Sequence, residues 1–371
     1  MKNESLVWVV AIAALSGCAA HTPPPPTEKP ATAASGIGHP DNAPAITAFV
    51  ADVKRCWEAK PEDVTEAGCP PIEKIRDLYA GADDAARPKI FATLVRWFGE
   101  PSDWRYRKVA ASVLVVRTDG TSETLANVLG VLRNEIAVQT PMRAADTLRS
   151  DMAQYVGNLA TRVTGQDAEI LAYTKDKVNS DQDARSVFIA DLGASLRPGH
   201  FEALMAIATD TTEKDEVRRS ALEAVSRYEA AEQKPKIGAL LFELARKDAS
   251  KAIAEKALFV YKGYGLANET KTIVSIINER QDAEVTSSGI VTLHLVIAPK
   301  ASPADKKIIT AFCVQLANDG TANGHVRANA VATLRDLKAP QWKKIATQLS
   351  RSSDAEMAAE MKELLGNAPK K

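Results

Sequence analysis

The sequence predicts an all-α fold, a right-handed α-solenoid in which helical hairpins stack one upon the next. Three observations carry this prediction. The 371-residue chain is 45% hydrophobic but only 5% aromatic, a composition suited to close helix-on-helix packing, whereas strands draw on Val, Ile, Thr and Tyr. A pattern with helical spacing, apolar-Arg-x-x-Ala-x-x-x-apolar, returns along the body of the chain. From Ala184 onward its copies begin 31 to 41 residues apart, the length of one helical hairpin.

The chain opens with a targeting segment over residues 1–17. Lys2 gives a positive start, partly offset by Glu4, and Leu6 to Leu15 is an unbroken run of ten apolar residues. As a helix this run is about 15 Å long, roughly half the hydrocarbon thickness of a bilayer, so it engages an export machine without spanning. Leu15-Ser16-Gly17-Cys18 then resembles the lipobox of bacterial lipoproteins. The resemblance implies cleavage before Cys18, a diacylglycerol on its thiol and acylation of the new amino terminus. Ala19 is non-acidic, which in Gram-negative lipoproteins goes with sorting to the outer membrane, here its periplasmic leaflet. The alternative is an ordinary cleaved signal with a chance cysteine. Residues 18–45 follow as a linker rich in Pro, Ala, Thr and Ser without apolar periodicity. Such a segment is an extended, solvated spacer between a lipid anchor and a folded body.

Export decides how the remaining cysteines read. Cys56 and Cys69 enclose twelve residues that include Pro and Gly, a plausible disulfide loop in an oxidising compartment. A zinc site there lacks its other ligands, since no histidine lies near the pair. Cys313 sits on an apolar helix face and reads as buried and inert.

The repeat is clearest at Val217, Arg218, Ala221 and Val225. It returns at Val326, Arg327, Ala330 and Leu334, at Tyr106, Arg107, Ala110 and Leu114, and at Ala184, Arg185, Phe188 and Leu192. Copies beginning at Ile253, Val285 and Met357 lack the arginine. A helix of ambiguous register is expected over 141–159. A second amphipathic segment lies between anchors each time, at 122–136, 166–178, 199–209, 235–247, 268–279, 303–318 and 340–350. Ser302 with Pro303 and Asp305 reads as an N-cap, Ser353 with Glu356 as a capping box, and Asp-Gly-Thr at 119–121 and 319–321 as a stop followed by a Thr cap. The β-like run 289–298 is assigned to a buried helix, because the repeat phase calls for one there.

The Asp215, Val217, Arg218, Ala221 motif resembles the second helix of HEAT repeats. That resemblance covers roughly residues 85–366. It implies a ladder in which a turn Asp and the following Arg link neighbouring repeats, carried over to Asp215/Arg218, Asp103/Arg107, Asp183/Arg185 and Arg327. Residues 46–98 hold helices that do not keep the period and are expected to form an N-terminal cap. The repeats are placed at 99–366, with a tail at 367–371.

Catalytic motifs are scarce. With 47 basic and 47 acidic residues, the chain lacks the excess charge that nucleic acid or a polybasic membrane patch demands. His21 and His39 lie in the linker, and His200, His294 and His325 stand singly without an adjacent Glu. The di-iron chemistry of one HEAT-repeat hydroxylase family therefore finds no ligands in the sequence pattern. There is no HExxH, GxSxG, P-loop or CxxC, and Gly263-Tyr264-Gly265 reads as a helix stop. Asp181-Gln182-Asp183 reads as a helix cap, since Arg185 occupies what would be a calcium-ligand position. No catalytic residue, cofactor or metal ligand is assigned. Candidate partner contacts are Trp104, Arg105 and Lys108, with Glu223 and Phe259 among the residues six past each anchor. The expectation is a non-catalytic, membrane-anchored scaffold binding another envelope protein. An assembly factor of an envelope complex and an enzyme or its regulatory subunit are the alternatives.

Overall fold

The computed structural model describes residues 39–56, 69–116, 119–134, 142–177 and 181–366, without the side chains of 134 and 142–147. The signal segment, Cys18, most of the linker and the tail at 367–371 lie outside the described residues. All of the architecture belongs to the unit Ser35–Lys371. It is helical throughout, with no strand among the described residues.

Three helices come first: α1 (Pro44–Thr47), α2 (Val50–Arg55) and α3 (Pro71–Gly81). Cys56 and Cys69, both buried, are bridged, tying the end of α2 to the start of α3. Hairpins follow, each an outer helix and an inner one: α4 (Arg87–Phe98) with α5 (Trp104–Leu114), α6 (Ser122–Asn134) with α7 (Met142–Arg162), and α8 (Asp167–Lys175) with α9 (Gln182–Leu192). Next are α10 (Pro198–Thr209) with α11 (Asp215–Val225), α12 (Lys234–Lys247) with α13 (Lys251–Phe259), and α14 (Glu269–Arg280) with α15 (Ala283–Thr292). The last two hairpins are α16 (Pro303–Asn318) with α17 (Gly324–Asp336), and α18 (Trp342–Leu349) with α19 (Ala355–Gly366). Each inner helix packs on the next inner helix, and the buried apolar residues form two core clusters that meet at α9, Phe188 and Leu192 belonging to the first and Ile189 to the second. The first hairpin starts at Arg87. A boundary at residue 98 between cap and repeats therefore cuts it in two, because α4 buries Ile90, Leu94, Trp97 and Phe98 and packs against α5.

The anchors face the core as their spacing requires. Val217, Ala221 and Val225 are sealed from solvent, as are Tyr106, Ala110 and Leu114. The copy at Val285 departs in two ways. Gly289 stands where Ala221 stands in its copy, and an added Cβ would lie 2.5 Å from Ile277 Cδ1, so α14 and α15 approach too closely for Ala. The β-like run continues α15 as helix but slips to π geometry over Leu293–Ile297. There Thr292 Oγ1 bonds both Ser288 O (2.8 Å) and Leu258 O (2.7 Å), and Pro299 prevents a return to α-helix.

Caps are partly displaced from their expected places. Ser302 does cap α16, accepting from Asp305 N at 3.1 Å, and Thr121 accepts from Thr124 N at α6. Asn323 rather than Thr321 caps α17, through His325 N at 2.8 Å, and Asp354 rather than Ser353 sits before α19, accepting from Met357 N at 3.0 Å. Asx side chains accept from the first-turn amides as readily as Ser or Thr, so a one- or two-residue shift costs little.

The arginines act in two directions. Through Nε each reaches the end of the outer helix of its own hairpin: Arg107 to Phe98 O (3.2 Å), Arg185 to Thr174 O (2.8 Å), Arg218 to Ala208 O (3.1 Å) and Arg327 to Ala317 O (3.2 Å). Terminal carbonyls left without intrahelical partners are thereby satisfied. The acid that meets the guanidinium, however, comes from the following hairpin. Arg185 takes Glu213 in a two-pronged pair (2.6 and 2.9 Å), and Arg218 takes Asp248. The pair Asp183/Arg185 is therefore corrected. Asp183 is exposed, while Asp181 caps α9 and pairs with Arg149 at 2.8 Å. Asp103 caps α5 and holds Arg105, two residues on, at 2.9 Å. Asp215 does pair with Arg218, at 3.8 Å, and also accepts from Ser250 Oγ. Lys251 stands in for the missing arginine at the next junction, reaching Asp282 at 3.1 Å.

Candidate functional site

Side-chain contacts some 30 to 40 residues apart set the inner helices parallel and in register. Ser186 meets Ser220 (2.7 Å), Lys256 meets Glu223 (3.0 Å) and Ser288 meets Glu255 (3.0 Å). At their C-terminal ends Tyr228 OH donates to Arg197 O (3.4 Å), and Tyr264 OH to Ser226 O (3.4 Å). These ends consequently lie along one edge of the stack.

That edge carries four of the five exposed large apolar side chains among the described residues, the fifth being Leu78 of α3. Val116 follows α5, Leu196 follows α9, Phe259 ends α13 and Leu295 sits in the π turn after α15; their exposures are 57, 57, 57 and 65%. Leu196 also holds a left-handed backbone (φ 52°), a conformation that costs a non-glycine residue about 1 kcal/mol. The turns after α13, α15 and α17 present Lys262, Lys300 and Lys338, all exposed and none in a described ion pair. Lys256 bridges the two characters, lying 5.4 Å from the Phe259 ring centroid while paired with Glu223. Burial opposes ionisation of Glu223, but the hydrogen bonds and charges of Lys256 and Arg227 outweigh it and hold the carboxyl below its ordinary range.

The expected contact residues are thus divided. Phe259 is open to a partner and Glu223 is partly so. Lys108 is not, because its side chain is 4% exposed and its ammonium is bound to Asp151, which also accepts from Ser112 Oγ at 3.1 Å. Arg105 is held by Asp103 and by Lys54 O (2.8 Å), and Trp104 packs half-buried against the N-terminal core. The six-past-anchor rule fails at Ser112, which is fully buried, because α3 covers α5 and Arg76 reaches Ser112 O. Val116, Leu196 and Leu295 escaped the sequence reading. Their signal is a large apolar residue just past the last buried anchor of an inner helix.

Two groupings gather titratable side chains. Ser195 Oγ lies 2.7 Å from His200 Nδ1, and Asp167 Oδ1 lies 3.1 Å from Nε2. The imidazole is 1% exposed, and burial, aided by the charge of Arg197, holds it below the ordinary histidine range. Separately, His325 of α17 meets Glu356 and Glu360 of α19, with one ligand atom from each within 4.8 Å of the others. No metal ligand was assigned from sequence, since these residues stand 31 and 35 positions apart and meet only once the hairpins stack. Cys313 is buried and its thiol is pushed up to about 12 by burial.

No helix among the described residues is long and apolar enough to cross a membrane. No protein-family model matches the chain, and no curated protein matches it. Among solved structures it is similar to an engineered protein from a structural genomics consortium, at 16% identity over 88% of this chain and 92% of that one, with a TM-score of 0.35. It is also similar to human deoxyhypusine hydroxylase in complex with glycerol, at 15% identity over 74% of this chain and 94% of that one, with a TM-score of 0.30. At such scores neither likeness carries an inference about function.

Proposed function

We propose that the chain is a HEAT-like, lipid-anchored scaffold that binds another protein of the cell envelope along the ends of its inner helices. The observation that carries this reading is the row of four large apolar side chains, each more than half exposed, on one edge of an otherwise well-buried stack. They stand at the ends of the inner helices of the first, third, fifth and sixth hairpins, so they offer a partner separate apolar footholds spaced along one edge. A strained Leu196 that shows its side chain to water is a local cost that binding would offset. Lys262, Lys300 and Lys338 in the turns along the same edge favour an apolar partner segment flanked by acidic residues. Cys18 and the Pro-rich linker would hold this edge near the periplasmic face of the outer membrane. The test is crosslinking of the native protein in membranes, comparing wild type with Phe259→Asp and Leu295→Asp. The reading expects one acidic, envelope-located partner that both substitutions release. Binding of the purified protein to protein-free anionic vesicles, lost in the same variants, would instead assign the edge to lipid.

A second reading, acyl transfer, is favoured by one observation, the Ser195, His200 and Asp167 series. In it Ser195 would be the nucleophile and His200 its base. The sealed imidazole weighs against it. Labelling of the protein by a fluorophosphonate, abolished in Ser195→Ala, would support it, and absence of labelling would remove it.

A further inference from the structure

We propose that His325, Glu356 and Glu360 form a zinc site that clasps the last two inner helices together. Glu356 and Glu360 are four residues apart on α19 and so project from one face. His325 is in the first turn of α17, held there because its amide donates to the Asn323 side chain. Its Nδ1 is already 3.4 Å from Glu360 Oε1, the separation of two ligands on one edge of a tetrahedral site with bonds of about 2.1 Å. Glu356 is exposed and closes the remaining distance by side-chain rotation. One imidazole with two carboxylates suits a borderline ion such as Zn2+ better than Mg2+, which prefers oxygen alone.

Two further observations point to this junction. A cavity of about 380 Å³ opens there, lined by Asn323, Gly324, His325, Asp354, Glu356 and Met357. It leaves room for a fourth ligand, water or a group from a partner. Its wall depends on Gly324, where an added Cβ would stand 2.0 Å from Asp354 Oδ2. The second observation is the ladder itself. Cation–acid pairs link α7 to α9 (Arg149–Asp181), α9 to α11 (Arg185–Glu213), α11 to α13 (Arg218–Asp248) and α13 to α15 (Lys251–Asp282). Arg327 makes no described ion pair to α19, and Glu356, the acid at the matching turn offset, lies with His325. The His–Glu cluster stands at the α17–α19 junction instead.

The test uses the full-length mature protein in detergent, stripped with chelator and titrated with Zn2+ alone. One Zn2+ per chain is expected, with a raised thermal midpoint and no comparable effect of Mg2+. Glu356→Gln, Glu360→Gln and His325→Ala should each weaken binding by about tenfold or more and abolish the thermal shift. The Gln variants keep side-chain volume at solvent-facing positions, so their midpoints in chelator should match wild type. Absence of saturable binding, or binding and thermal shift unchanged in all three variants, would overturn the site.

Discussion

Arg218 and Asp248 form an ion pair between consecutive hairpins with side chains 3 and 4% exposed, while the same guanidinium donates to Ala208 O in its own hairpin. One side chain thus closes the end of α10 and fixes where α13 begins. Asp248 also accepts from Ser250 N at 2.9 Å, so the turn, the cap and the ladder share one carboxylate. Buried charges of this kind stabilise only while both partners remain.

Removing one partner should therefore be far worse than removing both. Asp248→Ala is expected to lower stability by about 3–5 kcal/mol, because it strands a buried guanidinium. Arg218→Met combined with Asp248→Ala should cost clearly less than the sum of the single changes. Denaturant unfolding of the three variants measures the coupling.

The bridge between Cys56 and Cys69 constrains the region that seats α2 and α3 against α5, with α1 packed on α3. Reduction should cost about 3 kcal/mol, the entropy of freeing a loop of this size in the unfolded chain. Thermal unfolding with and without reductant tests this. Cys313 should contribute nothing to the difference, since its thiol is buried and unpaired.

The fold was legible because period and burial agree. The segment expected at 303–318 is α16 over those residues, and 122–136 is α6 over 122–134. Legibility failed where a contact crosses from one hairpin to the next. Asp183 sits close to its arginine in sequence, yet the acids that hydrogen-bond Arg185 and Arg218 lie 28 and 30 residues further on. Local spacing cannot show such a partner, because the chain must first stack. The same holds for His325 with Glu356 and Glu360. Lys108 shows the converse: a base beside two aromatics reads as surface, yet Asp151 of α7 draws it inside.

Asp191 gives a pH-dependent prediction. Burial is the main cause that raises its carboxyl to about 6, with Glu223 adding to it and Arg227 opposing, and its Oδ2 has no hydrogen-bond partner among the described residues. The folded chain thus holds a proton that the unfolded chain releases. The resulting stability is fully present below about pH 4 and is lost as pH rises through about 6. Asp191→Asn should accordingly stabilise the protein at neutral pH by about 1–2 kcal/mol, discounted for partial exposure, and have little effect near pH 4. Thermal midpoints of both proteins across that range check the sign.

Gly193 lies where α9 ends against α11. An added Cβ would stand 2.5 Å from Ala224 Cα and 2.6 Å from its carbonyl oxygen, both backbone atoms that cannot rotate away. Gly193→Ala should cost about 1–3 kcal/mol or more by forcing the two helices apart. The control is Gly199→Ala, where a Cβ meets nothing within 4 Å and stability should change little.

The most direct test of the scaffold proposal is crosslinking and recovery of the native protein from membranes, run with wild type, Cys18→Ala and the pair Phe259→Asp and Leu295→Asp. The account predicts one acidic envelope partner, lost in the two edge variants although their unfolding midpoints match wild type, and depleted when Cys18 is replaced. A partner retained by both edge variants, or none captured at all, would contradict it.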